Sequence, residues 1–245
     1  MAQKARNSLK ELFKKGKMPQ DGDFADLIDS MINQADDGIS KTIENGLLLR
    51  PSGDASQKLL SFFKNIEDKS PIWAIKVDKS NGAWGIYNNK QKPALVITQD
   101  ENGLNQVGIQ TEAPQYELDV QGVVGMTGRI GNVTNRILAD GQWHTIIDNL
   151  NGCHAFEIMA GAGKPKTGKY ALLQAKAIST FGDSNNEIAI LQAHYGASDN
   201  KIQLRWRGTT FNYSLEMRTK GNYGDNVHIK YFITRLWFDE FMEQL

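Results

Sequence analysis

The sequence predicts a mainly β protein with a short N-terminal α-helical module, a central region of short strands and a C-terminal antiparallel β-sandwich. Three observations predict it. Helix-period apolar spacing is confined to residues 4–37. From about residue 46, apolar and polar residues alternate in short runs parted by Gly, Pro, Asn and Ser, and the last hundred residues hold seven such runs at regular spacing. That spacing is the pattern of a sandwich or barrel.

In the helical region, Leu9, Leu12 and Phe13 share one face, Gly16 and Pro19 form a break, and Phe24, Leu27, Ile28, Met31 and Ile32 follow the i, i+3, i+4, i+7, i+8 pattern. Asp21 or Asp23 is placed to cap the second helix, and Asp36-Asp37-Gly38 to close it. So small a pair is marginal in isolation. Its apolar stripe either packs on its own chain or serves as a self-associating or docking surface that meets equivalent chains or a particle, and the small size of the unit favours the second.

Strands are predicted at 47–49, 59–63, 72–77, 84–87 and 94–97, separated by Pro51-Ser-Gly53, Lys69-Ser-Pro71, Ser80-Asn-Gly82 and Asn88-Asn-Lys90. Asn81-Gly82 between two aromatic strands signals a hairpin. The stretch Val107-Gly-Ile-Gln-Thr-Glu-Ala-Pro-Gln-Tyr-Glu-Leu-Asp-Val-Gln-Gly122, running on to Thr127-Gly-Arg-Ile-Gly131, reads as strand, break at Pro114, strand, turn. Strands this short bury too little to offset the ~1–2 kcal/mol per residue of backbone ordering. They call for partner chains.

The C-terminal runs fall at 143–147, 155–159, 170–174, 187–191, 201–207, 213–218 and 227–233. In 201–207, Ile202, Leu204 and Trp206 face one way and the charged and amide side chains the other, which gives a sheet with one dry and one wet face.

Composition narrows the function. The chain of 245 residues carries 28 basic and 28 acidic side chains, so no global field favours nucleic acid or an anionic membrane. No run approaches the ~20 apolar residues of a bilayer crossing, so no membrane insertion is expected. The N-terminus lacks an apolar signal core, which predicts synthesis in the cytoplasm without a signal peptide. The single cysteine, Cys153, rules out an intrachain disulfide framework.

Catalytic patterns are weak. Gly163-Lys-Pro-Lys-Thr-Gly168-Lys169-Tyr170 matches the first seven places of a P-loop, but Tyr170 stands where Mg²⁺ needs Ser or Thr and Pro165 removes a phosphate-cradling N–H. It reads as a hairpin loop. His144, His154, His194, His228 and Cys153 have no metal-ligand spacing. An axial metal on trimerisation would most readily use His144, beside Gly141-Gln-Trp143. There is no Gly-x-Ser-x-Gly elbow and no identifiable acid/base carboxylate pair. The reading is therefore non-enzymatic, with no catalytic residue, no cofactor and no protein metal site.

Lys201, Arg205, Arg207, Arg218, Lys220, Lys230 and Arg235 fall on neighbouring predicted strands near Trp206, Tyr213 and Tyr223. Cations beside exposed aromatics suit an acidic glycan or lipopolysaccharide. As a candidate ligand surface the set is Lys201, Arg205, Arg207, Arg218, Lys220 and Tyr223, against the alternative of a solvated sheet face with Trp206 turned to the core.

Two motifs carry a resemblance. Pro19-Gln-Asp-Gly-Asp-Phe24-Ala-Asp-Leu27-Ile28-Asp29-Ser30, then Asn33 and Asp36-Asp37, is similar to an N-terminal element found ahead of tail-fibre-like proteins of phages and of phage-tail-like contractile injection particles, with Gln20 where threonine is usual. The Val107-Gly-Ile-Gln-Thr-Glu-Ala-Pro and Leu118-Asp-Val-Gln-Gly segments resemble an element that recurs in phage tail-fibre and adhesin-like proteins just before a terminal head, with Gln110 in place of the usual second glycine. Trp143-His-Thr, Phe156-Glu-Ile-Met-Ala, Arg205-Trp-Arg-Gly, Asn212-Tyr-Ser-Leu and Asn222-Tyr-Gly-Asp resemble the C-terminal domain of such proteins, from which no active site transfers. The resemblance implies a homotrimeric structural component of a virion or phage-tail-like particle. Residues 1–45 would be an attachment or trimerisation module that binds other tail, baseplate or cap proteins, 46–140 a β module and shaft, and 141–245 a head that touches cell-surface glycan. A cap or end adaptor of the particle is the alternative in the same class. A free-standing carbohydrate-binding protein is an alternative from another class, and a hydrolytic tailspike stands third for want of a carboxylate pair.

Overall fold

The computed structural model describes residues 4–32, 37–51, 57–65 and 67–243, of which 133–135 are described in the backbone only. The chain forms two compact units, Met1–Gly125 and Met126–Leu245. It is mainly β, built of antiparallel sheets with two short helices.

In the first unit, helix α1 spans Arg6–Leu12 and α2 spans Asp21–Asp29. Asp21 and Asp23 lie in the first turn of α2, where the helix dipole favours negative charge. The Asp23 carboxylate accepts the Gln20 N–H at 3.0 Å, so Asp23 supplies a capping contact from inside the helix. At the other end, Ser30 Oγ donates to the Asp26 carbonyl at 2.6 Å. Both helices are shorter than the predicted 4–37 region, and Met31 and Ile32 fall beyond α2. Asn33 and Asp36 lie outside the described residues. The helices meet through Phe13 and Phe24, whose rings sit edge-on with centroids 5.4 Å apart. Of the predicted stripe Leu9 is buried and Leu12 and Leu27 are half-buried, whereas Phe24, Ile28, Met31 and Ile32 are exposed.

Strands β1, Ile39–Thr42, and β2, Gly46–Leu49, pair as a hairpin that straddles residue 45, where the helical module was expected to end. A six-stranded sheet follows in chain order: β3 Lys58–Phe62, β4 Trp73–Val77, β5 Trp84–Asn88, β6 Pro93–Gln99, β7 Asn105–Ile109 and β8 Leu118–Val120. Neighbours are antiparallel except β7 and β8, which are parallel. The predicted β4–β5 hairpin is present, with Gly82 at φ +72° inside a loop longer than a two-residue turn. Of the Pro51-Ser-Gly53 turn, Ser52 and Gly53 lie outside the described residues.

The predicted strand, break, strand, turn from 107 to 122 has a clear physical cause. Thr111 folds back over β7 so closely that a Cβ on Gly108 would stand 2.5 Å from the Thr111 carbonyl oxygen. Only glycine fits there. Gln110 takes φ +61°, a left-handed conformation that costs an L-residue roughly 1–2 kcal/mol. After Pro114, the Asp119 carboxylate accepts the Gln115 N–H at 3.0 Å and the Glu117 carbonyl accepts the Val107 N–H at 2.9 Å, which seats β8 beside β7.

In the second unit the strands are β9 Asn132–Leu138, β10 His144–Leu150, β11 Cys153–Lys164, β12 Lys169–Thr180, β13 Glu187–Tyr195, β14 Ile202–Thr209, β15 Asn212–Thr219 and β16 His228–Arg235. A five-stranded sheet runs β13-β12-β11-β16-β9 and a three-stranded sheet β10-β15-β14, every pair antiparallel. One hydrophobic cluster drawn from both sheets, including Ile158, Leu173, Leu215, Met217 and Ile229, makes them a sandwich. On β12 the alternation is strict: Ala171, Leu173, Ala175, Ala177 and Ser179 are buried, and their neighbours along the strand are exposed. Each of the seven predicted C-terminal runs corresponds to one of these strands, with 143–147, 201–207 and 227–233 starting one residue before the strand does. Strand β9 was placed in the central 46–140 region by sequence and instead pairs with β16, so the chain divides after Gly125 and not after residue 140.

Candidate functional site

The three-stranded sheet presents the predicted cationic surface. Alternation on β14 turns Ile202, Leu204 and Trp206 to the core, where the Trp206 ring packs 5.6 Å from Tyr213 and 6.5 Å from Phe156. Gln203, Arg205 and Arg207 consequently face outward beside β15, with Gln203 opposite Arg218 and Arg205 opposite Glu216. Arg205 Nε donates to Glu216 Oε2 at 2.6 Å, and Arg218 Nε donates to Gln203 Oε1 at 2.9 Å.

Trp143 lies over this pair. The guanidinium carbon of Arg205 stands 4.2 Å from its ring centroid and that of Arg218 stands 4.3 Å away. Such cation–π contacts are worth ~0.5–1 kcal/mol each at exposed sites. They order two guanidinium groups whose exposed edges remain available to an anion or a hydroxyl-rich ligand. Glu216 offsets the charge of Arg205, whereas Arg218 is held by an amide and Arg207 has no carboxylate partner among the described residues.

Lys201 and Lys220 adjoin the set through the Lys220 N–H, which donates to the Lys201 carbonyl at 2.8 Å. Lys220 Nζ sits 2.8 Å from Asp199, and this hydrogen-bonded ammonium holds the Asp199 carboxyl below its usual range. Lys230 and Arg235 belong to β16 in the other sheet, so they do not extend this surface.

Tyr223 is a correction. It is 2% exposed, its hydroxyl donates to the Asn200 carbonyl at 2.5 Å, and burial pushes its phenol up to about 12. The ring therefore belongs to the core and not to a ligand surface. The residue that sequence reasoning left out of the site is Trp143. It was visible as the start of the 143–147 run, but its stacking on Arg205 and Arg218 depends on cross-strand register, which no local pattern specifies.

The histidines occupy separate places. His144 Nε2 is 2.8 Å from Asp140 Oδ1. Burial raises the Asp140 carboxyl, but hydrogen bonds from His144 and the Gln142 N–H outweigh it and hold the group below its ordinary value. His154 is buried, bonded through Nε2 to the Asn151 carbonyl and stacked on Phe156, with Nδ1 unpartnered among the described residues. His228 Nδ1 donates to the Asn226 carbonyl at 3.1 Å, and His194 is exposed on β13. Among the described residues, no three His, Cys, Asp or Glu side chains stand together as a metal site. The P-loop-like string forms the β11–β12 hairpin turn, where Lys166 and Gly168 take positive φ and Thr167 Oγ1 donates to the Lys164 carbonyl at 2.7 Å.

No protein-family model matches this chain, and no curated protein matches it. The functional reading accordingly rests on the residues and their packing.

Proposed function

We propose that the protein is a non-enzymatic, homotrimeric structural component of a phage tail or phage-tail-like contractile injection particle, acting as a short fibre or adhesin. One observation carries the need for partner chains. In the first unit, the buried apolar side chains among the described residues are Leu9, Pro71, Ala74, Val96 and Pro114, while Phe24, Phe62, Trp73, Trp84 and Leu118 remain exposed. A single-layer sheet of this kind leaves apolar side chains in water on a scale that isolated soluble domains avoid. Covering them with equivalent chains removes that cost and ties three C-terminal sandwiches to one axis.

Multivalent contact then follows, because three copies on one axis raise avidity by effective concentration without any new contact. The Trp143, Arg205 and Arg218 surface supplies the chemistry for an acidic glycan in this reading. The N-terminal helices, with Phe24 and Ile28 exposed, supply an apolar attachment face toward other tail, baseplate or cap proteins. A cap or end adaptor uses the same attachment face and needs no glycan.

Deletion of residues 1–45, followed by imaging of assembled particles, tests the role given to the helices. Loss of the protein from the particle with the C-terminal sandwich still folded supports it. A truncated chain that still assembles and docks removes it.

A further inference from the structure

The outer face of the five-stranded sheet holds two adjacent clefts that meet at Lys230. The first, about 430 Å³, is floored by Gly161 and walled by Met159, Leu172 and Phe232, with Ile130 alongside. The second, about 460 Å³, is lined by Arg136, Lys164, Lys230 and His228 and contains the single carboxylate Asp225. Each volume lies in the range of small-ligand sites, ~300–1,000 Å³.

Two features make this face unusual for a solvated sheet. On the central strand β11 the outward positions 161 and 163 are both glycine, which weakens a strand unless close approach requires it; at 163 it does, since a Cβ there would stand 2.6 Å from Tyr170 Cδ1. A Cβ on Gly161 would meet Leu172 Cδ1 at 3.6 Å, ordinary contact, so packing alone does not demand glycine there. The cations are also uncompensated: among the described residues none of Arg136, Lys164 and Lys230 has a carboxylate at ion-pair distance. Lys230 Nζ lies 5.3 Å from the centre of the Phe232 ring and so stands at the junction of the apolar and basic halves.

The geometry points to a binding site for an anionic amphiphile, its phosphate or carboxylate held by Arg136, Lys164 and Lys230 and its hydrocarbon laid over Gly161 between Met159, Leu172 and Phe232. Charge complementarity selects the anion. The apolar half favours hydrocarbon over sugar, because its one guanidinium, Arg129, is engaged with Glu157, leaving few directional partners for hydroxyl groups. The site lies wholly in the second unit and takes no residue from another copy, so it requires only that this face stay open in the assembled protein.

Calorimetry on the full-length chain with dodecyl phosphate below its micellar concentration tests the assignment, with inorganic phosphate and uncharged dodecyl maltoside as the two half-ligands. One dodecyl phosphate per chain is expected, bound at least about tenfold more tightly than either half-ligand, since burial of two methylenes supplies that factor over inorganic phosphate and a charge-assisted hydrogen bond to the anion supplies it over the maltoside. Dodecanoate in parallel distinguishes a carboxylate-headed from a phosphate-headed source. Gly161→Val, a β-compatible change that fills the floor, and the Arg136→Gln/Lys164→Gln pair are each expected to weaken binding by about tenfold or more with the unfolding midpoint preserved. Equal affinity for inorganic phosphate reduces the site to a plain anion site and overturns the proposal. Equal affinity for the maltoside, indifference to Gly161→Val, or no binding because another copy covers the face overturns it as well.

Discussion

Replacing Tyr223 by phenylalanine separates a core residue from a ligand-contacting one. The hydroxyl donates to Asn200 within a side chain that is 2% exposed. Loss of that hydrogen bond costs about 1 kcal/mol at pH 7. The pH dependence gives a second, independent signature. Burial raises the phenol from 10.0 to about 12, so the neutral form persists in the folded chain after the unfolded chain has ionised. The stability is fully present below pH 10 and is lost as pH rises through 12, at about 1.4 kcal/mol per pH unit. Tyr223→Phe lacks this loss. Urea unfolding of the full-length protein from pH 7 to 12 is therefore expected to place the variant below the parent at neutral pH, with the two curves crossing near pH 11. Equal stability at pH 7 together with equal alkaline slopes would refute the burial argument.

Four further outcomes follow from the same packing. Leu173→Ala, at a position 0% exposed in the sandwich core, is expected to lower unfolding free energy by about 2–5 kcal/mol in denaturant titration. Gln110→Gly relieves the positive φ at that position and should raise thermal stability by up to about 1 kcal/mol. The hydrogen-bonded Asp140 carboxyl, held below its ordinary 3.8, contributes stability above that value and loses it as pH falls through its lower folded value. Asp140→Asn should flatten the acid limb of an unfolding profile below about pH 4, by less than ~1 kcal/mol because the side chain is partly exposed. Trp143→Ala frees Arg205 and Arg218, and a double-mutant cycle with Arg218→Gln should return a coupling of about 0.5–1 kcal/mol.

Much of the fold was legible because burial repeats at the period of the local structure. The alternation in Tyr170-Ala-Leu-Leu-Gln174 marks β12, and Ile202, Leu204 and Trp206 are turned inward as expected. Helix ends were less legible, since α2 ends at Asp29 with Ser30 as its C-cap, its hydroxyl bonded to the Asp26 carbonyl, while the apolar period runs on to Ile32. Strand β9 escaped because its membership depends on pairing with β16, about a hundred residues later.

The candidate site was legible in its cations and not in its aromatics. Charge on alternate strand positions locates Arg205 and Arg218 on a wet face. Whether Trp143 or Tyr223 joins them depends on tertiary neighbours: Tyr223 finds the Asn200 carbonyl inside the sandwich, and Trp143 finds the two guanidiniums outside it. The same limit applies to the apolar and basic clefts, which Gly161, Lys230 and Arg136 form only once β11, β16 and β9 are side by side.

Mass in solution tests the central claim most directly. Light scattering on the full-length protein at micromolar concentration is expected to return three times the chain mass of 27.3 kDa. A stable species of 27.3 kDa, with the first unit folded and its apolar side chains still in water, would contradict the account.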